Sequence, residues 1–172
     1  MNAKSEELLA TLPIPTPDGV FMAHYSAKGL SRLTFPAAYK QNQAFIATRT
    51  PVSTLVRGWH AFTNEALRQA LTGRIPKGLP PLDLSSGTEF QQCVWSALRQ
   101  IAPGNTRSYM EVAAIIGRAK AVRAVGGACG ANPIPVFVPC HRVLAANHRL
   151  GGFSGGLEWK RRLLAREGIE YS

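Results

Sequence analysis

Pro139-Cys140-His141-Arg142-Val143 sets a thiol, an imidazole and a guanidinium in consecutive positions after the apolar run Ile134 to Val138. Further on, Glu167 follows Trp159 and Leu163 at i, i+4 and i+8, with Leu164 three residues before it. That spacing lets the carboxylate extend an apolar helical face and turn inward, where it needs a partner; His141 is a candidate. Thiol, imidazole and carboxylate together can make and hold a thiolate: the imidazole takes the proton, and the carboxylate orients the imidazole and stabilises its charge. The ordinary reading of each residue stands beside this one. A cysteine after an apolar strand is commonly a small core residue, and most helical glutamates are solvated. Pro139 places Cys140 at the exit of the strand, where His141 and Arg142 resist burial and favour a thiolate. Adjacent strand residues face opposite ways, so His141 serves Cys140 only if the chain turns or a water intervenes.

The elements that position these groups read as α+β. Leu8 to Ile14, Val20 to Tyr25 and Leu30 to Phe35 alternate like strands, separated by turn chemistry at Pro15 to Gly19 and Ala27 to Gly29. They predict a small antiparallel meander. Residues 36–52 show no clear period. Ser53 caps a helix with a stripe of Leu55, Trp59, Phe62, Leu67 and Leu71, ending near Gly73. The proline- and glycine-rich stretch Arg74 to Gly87 reads as a linker, dividing the chain into units of 1–80 and 88–172.

The second unit reads as mostly helical. Thr88-x-x-Gln91 and Ser108-x-x-Glu111 are capping boxes. The first opens a helix with Phe90, Val94, Leu98 and Ile101 on one face; the second opens a helix through Ile116, stopped by Gly117. A third helix runs to about Cys129, with Val122, Val125 and Cys129 inward and Arg123 outward. The last spans Leu157 to Glu167, with Gly168 as its stop. Ile134 to Val138 is short and β-branched and predicts a buried strand. Ser108 to Asn132 therefore has the outline of a helix–turn–helix, which either binds DNA or is a plain helical hairpin. Tyr109 is there either a surface aromatic or a phenol that meets a base. Glu158 and Lys160-Arg161-Arg162 read as solvated positions or phosphate contacts.

Charge favours the DNA reading. Against 10 Asp+Glu stand 20 Lys+Arg, giving a net charge of +10 and a pI near 10.2, a balance that draws in polyanions. Nine basic and five acidic groups precede residue 88, and eleven and five follow, so the excess is no basic tail. The three cysteines cannot all pair and form no CxxC. Cys93 and Cys129 read as structural, no structural zinc is expected, and His24, His60 and His148 suggest no metal. With no secretory or membrane-spanning run, the expectation is a reduced, soluble, cytoplasmic protein.

Over residues 88–169 the chain resembles the O6-alkylguanine-DNA alkyltransferases. The resemblance lies in Phe90-Gln91-x-x-Val94-Trp95, Ser108-Tyr109, Lys120 to Gly126, Asn132-Pro133-Ile134, Pro139 to Val143, Ser154-Gly155-Gly156 and Leu164-x-x-Glu167-Gly168. The first half matches only through Thr16-Pro17-x-Gly19 and Gly29-Leu30. The family implies a ribonuclease H-like N-terminal domain before the helix–turn–helix domain. It also implies irreversible transfer of a methyl or larger alkyl group from O6 of guanine, with O4 of thymine as a second target, to one cysteine per molecule.

By that resemblance Cys140 is the acceptor, assisted by His141 and Glu167 through a water, and Tyr109 protonates the leaving base. Arg123 fills the gap left by a flipped nucleotide, Asn132 braces the active-site turn, and the Ser154 amide meets the guanine oxygen. Ala121 and Gly126 would touch DNA; Val143, Phe153, Gly155 and Pro135 would line the pocket. The implied partner is double-stranded DNA containing O6-alkylguanine, bound through the minor groove, with no cofactor, no membrane and no obligate protein partner. Three departures stand out: Phe153 where a tyrosine is common, Ala145 to His148 without the usual glycine, and the proline of Ile101-Ala102-Pro103-Gly104 moved by one place. Two readings compete: a non-catalytic binder, either a damage sensor, which would lack Cys140, or a regulator, which has no use for Glu167 or Ser154-Gly155-Gly156; and a cysteine hydrolase, which needs an acyl cleft and an oxyanion hole.

Overall fold

A computed structural model describes residues 9–36 and 52–172. Expectations for Leu8 and for most of 36–52 fall outside the described residues. Three antiparallel strands open the fold: β1 (Ala10–Thr16), β2 (Gly19–Ser26) and β3 (Gly29–Thr34), in the order β1-β2-β3. Pro15 and Thr16 belong to β1 rather than to the turn, which shrinks to Pro17-Asp18 with Thr16 paired to Gly19. The Thr16 hydroxyl closes it, accepting from Asp18 N at 3.2 Å and donating to Gly19 O at 2.8 Å.

The stretch 74–87 does more than link. Leu30 N donates to Pro81 O and Asp83 N to Leu30 O, both at 2.8 Å, so residues 81–83 cover the free edge of β3. Gly29, at φ +141°, is required there because a side chain would run into the Pro81 carbonyl. Helix α1 (Thr54–Leu71) packs on the sheet, its first turn capped by Ser53. Its buried face is Val56, Thr63, Ala66, Leu67 and Leu71. Leu55 and Phe62 are 60% and 61% exposed, which corrects the expected stripe. Tyr25 fixes the helix's rotation, donating to the Thr63 hydroxyl at 2.9 Å and meeting His60 Nδ1 at 3.0 Å.

Both capping boxes form, at the starts of α2 (Glu89–Leu98) and α3 (Tyr109–Ile115). Residues 116–121 connect α3 to α4 (Val122–Gly130), and α2, α3 and α4 pack on one another. Trp95 ties α2 to the end of α4 through Nε1 and Ala128 O, 2.8 Å apart. A two-residue strand β4 (Arg107–Ser108) runs parallel to β5 (Val143–Leu144). Helix α5 (Leu157–Arg166) closes the chain, with Trp159, Leu163 and Leu164 buried. The core is continuous from sheet to helices: Phe21 meets Trp159 edge-on at 5.3 Å.

Ile134 to Val138 is not a strand. The chain folds there into a tight turn, with Val138 N bonded to Ile134 O and Val136 at φ 78°. Prolines at 133, 135 and 139 remove the N–H donors a ladder needs, and apolar content alone cannot restore them. Among the described residues no helix is long and apolar enough to cross a membrane.

Candidate active site

Asn132, buried just after α4, organises the turn. Its Nδ2 donates to Val138 O at 2.7 Å and its Oδ1 accepts from Ile134 N at 3.0 Å. The same Nδ2 lies 3.1 Å from Cys140 Sγ. Cys140 then starts a 3-10 turn, Cys140–Arg142, so the chain bends where a strand would have sent His141 to the opposite face.

His141 is 1% exposed, and its Nε2 lies 3.0 Å from Glu167 Oε1. With Nε2–H donating to the carboxylate, Nδ1 is left as an acceptor; it is buried and has no hydrogen-bond partner among the described residues. Burial lowers the His141 pKa, and Glu167 opposes that, so the resting ring is neutral. For Glu167 burial works against ionisation, but the hydrogen bonds from His141 and Arg142 outweigh it and hold its pKa at about 2. Arg142 gives two of these bonds, Nε to Oε2 at 2.9 Å and Nη2 to Oε1 at 2.8 Å, while its Nη1 donates to Ile101 O at 2.6 Å. The displaced proline of Ile101-Ala102-Pro103-Gly104 thus sits in a turn whose carbonyl receives Arg142 and whose Gly104 N–H points at Glu167.

Arg142 is therefore committed to Glu167, and the expectation that it favours a Cys140 thiolate is corrected. Burial raises the Cys140 pKa to about 11, offset in part by the Asn132 N–H and the Lys160 ammonium. The resting sulfur is a thiol that needs a base.

Lys160 is the second correction. Its side chain is 0% exposed, and Nζ donates to Val143 O at 2.7 Å, to Leu150 O and to Gly152 O at 3.3 Å. It is neither solvated nor a phosphate contact; burial lowers its pKa to about 8. It joins α5 to both chain segments that flank the site. Sequence reasoning missed its burial, as it missed the hold of Arg142 on Glu167. Lys160 lies three and four residues before Leu163 and Leu164 and seven before Glu167, on the same inward face, which was the available signal. Arg161 and Arg162 are exposed, with Arg162 paired to Glu158 at 3.1 Å.

The remaining predicted residues fall into three places. Tyr109 is half-buried on α3, its ring facing Gly126 and Gly151; burial and nearby Cys129 and Cys140 raise its pKa to about 12. Pro135, Ser154 and Gly155 line one chamber with Asn132, while Val143 is buried and reaches the site through Lys160. Phe153 stands edge-on to His141, ring centroids 6.4 Å apart. Arg123 is exposed on α4, with Ala121 half-buried at its N-cap. Asn147 and His148 take left-handed backbone (φ 57° and 56°) in the loop where a glycine is usual. Cys129 is buried as expected, whereas Cys93 is exposed. Among the described residues no group of three or more His, Cys, Asp or Glu could hold a metal.

Comparison with known proteins follows the same lines. Residues 89–169 match the family described as "6-O-methylguanine DNA methyltransferase, DNA binding domain". The whole fold is similar to the crystal structure of Mycobacterium tuberculosis OGT in complex with DNA: TM-score 0.72, 37% identity, 90% of each chain covered. The arrangement of sheet and helices is thus one shared with OGT structures. A methylated-DNA–protein-cysteine methyltransferase of Haemophilus influenzae is 55% identical over 49% of this chain, and the match spans about half (48%) of that relative's length. One from Mycolicibacterium paratuberculosis is 44% identical over 71% of this chain and 84% of its own. The chain belongs to the methylated-DNA–protein-cysteine methyltransferase family.

Proposed function

We propose that this protein repairs alkylated DNA directly, moving an alkyl group from O6 of guanine to Cys140 Sγ once per molecule. The observation that carries the reading is a paired arrangement: Asn132 touches Cys140 Sγ, and the next residue, His141, is bound to Glu167. It holds a buried thiol beside a neutral imidazole whose free Nδ1 can accept a proton and whose Nε2–H meets an ionised carboxylate. Cys140 gives its proton, through a water, to Nδ1. Glu167 stabilises the imidazolium, and the Asn132 N–H stabilises the thiolate. Sulfur then attacks the alkyl carbon in line: the S–C bond forms, the C–O6 bond breaks, and the electron pair leaves on guanine. The Ser154 N–H meets that charge and Tyr109 supplies a proton to the base.

O6 is unreachable in a stacked duplex, so the nucleotide leaves the stack, and a half-buried phenol beside a closed thiol site suits a base brought in from outside. Arg123, exposed on α4, fills the space from the minor groove. In this reading α3 and α4 are a DNA-reading helix–turn–helix, 88–172 carries the chemistry, and 1–80 braces it. Nothing among the site residues cleaves the product thioether, so repair is stoichiometric. Three free cysteines suit a reducing cytoplasm.

The test is intact mass before and after incubation with an O6-methylguanine duplex. One methyl should appear on the Cys140 peptide and vanish in Cys140→Ser. Methyl on Cys93 or Cys129, or product in molar excess over protein, refutes the reading.

A further inference from the structure

A chamber of about 260 Å³ opens between the sheet and the active-site turn, reaching the thiol through Asn132. Asn132, Pro135 and Ser154-Gly155 form one side; Arg32, Thr34 and Phe35, at the end of β3, form the other. Two of these connect the chamber to the chemistry. Asn132 touches Cys140 Sγ, and Ser154 carries the amide that the proposed reaction aims at O6. In the proposed reaction the transferred carbon lies between Cys140 Sγ and the O6 that meets Ser154, so the chamber beside Asn132 and Ser154 is the space open to the rest of a larger adduct.

Phe35 decides how far. It is 5% exposed and locked in an aromatic cluster: 4.8 Å from Trp159, 5.4 Å from Phe21, and 5.7 Å from Phe153 at a 66° tilt. Such a ring cannot swing aside without disturbing three others. It also presses on the Ser154-Gly155 backbone. A Cβ at Gly155 would collide with the Phe35 ring and stand 2.9 Å from Phe153 Cε1. We infer that Phe35, supplied by the N-terminal sheet, is the far wall of the chamber that receives the O6 alkyl group and sets the size of adduct the protein removes. This rests on the alkyl-transfer reading and gives the first half of the chain a share in specificity.

The experiment compares single-turnover rates on duplexes carrying O6-methylguanine or O6-benzylguanine for the native protein, Phe35→Ala and Phe35→Leu. The benzyl-to-methyl rate ratio should rise about tenfold in Phe35→Ala and less in Phe35→Leu, as expected for removing atoms from a pocket wall. Gly155→Ala should lower the ratio, and Phe35→Leu added to it should restore it. A ratio that stays fixed while both rates fall together means Phe35 only supports the fold, and overturns the inference. Lack of coupling between Gly155→Ala and Phe35→Leu does the same, and remains measurable if Phe35→Ala does not fold. Failure of the underlying reading looks different: the native protein would leave Cys140 unmethylated on the methyl substrate.

Discussion

Replacing Glu167 by Gln keeps the side chain's shape and removes its charge. In the native protein the carboxyl pKa falls from 4.5 to about 2, because hydrogen bonds from His141 and Arg142 outweigh burial. That difference corresponds to about 3 kcal/mol favouring the ionised form. An amide turns an N–H2 group toward either His141 Nε2 or the Arg142 fork, so one buried donor loses its acceptor. Arg142 keeps the Ile101 carbonyl and is 12% exposed. The loss of stability should therefore lie near the lower end for a broken buried pair, about 3 kcal/mol. In a chain of this size that lowers Tm by about 6–12 °C. The sign of the pH dependence follows from a depressed carboxyl pKa. Its stabilisation is whole above about pH 4.5 and is lost as pH falls toward 2, a limb the Gln variant lacks.

The chemical step suffers separately. His141 gains a proton there, and a hydrogen bond to a charged group contributes about 1.5–3 kcal/mol, so transfer should slow about 10- to 150-fold. DNA affinity should stay nearly intact. Single-turnover methyl transfer, read by intact mass well below the variant's Tm, measures the rate; acid unfolding measures the stability limb. Rates within about twofold of native from mildly acidic to mildly alkaline pH, or superimposable acid unfolding curves, would refute the reasoning.

Arg123→Ala should lose more repair on duplex than on single-stranded substrate, where no stack is left to fill; equal losses would make Arg123 a phosphate contact. Lys160→Met strands three carbonyls in the interior, so it should lower Tm while leaving the salt dependence of DNA binding unchanged. Arg161→Ala, at an exposed position, should do the reverse and reduce the slope of log affinity against log salt by about one. A Lys160→Met protein with native Tm and a reduced slope would return Lys160 to the surface.

What could be read from the sequence was mostly what is encoded locally. The capping boxes at Thr88 and Ser108 are satisfied within four residues, so they form whatever surrounds them. Strand alternation located the sheet, because β1 to β3 are joined by tight turns. The spacing of Trp159, Leu163 and Glu167 turned the carboxylate inward for the same reason. Lys160 obeys the same spacing, but the cost of burying an ammonium argues for solvent and hides the pattern. Only the three carbonyls that receive it, on two distant segments, make its burial tolerable, and no local pattern announces them. Ile134 to Val138 failed for a different reason: its apolar residues line a turn shaped by prolines and by the Asn132 side chain. The rotation of α1 likewise depends on Tyr25, 38 residues before Thr63.

The short pairing of β4 with β5 has a mechanical consequence. Ser108 caps α3 through its hydroxyl while Arg107 and Ser108 pair with Val143 and Leu144, directly after the Cys140–Arg142 turn. If α3 is the helix offered to DNA, as proposed, it and the turn holding the sulfur are two ends of one bracket joined by this pairing. Such a bracket transmits position but supplies no stroke. On that reading the nucleophile then waits at a fixed height behind the docking face, and the travel is left to the nucleic acid. On the proposed reading, two molecules divide the timekeeping of repair. The protein's rigidity governs how fast a delivered lesion is consumed, and the softness of the damaged duplex governs how often one is delivered.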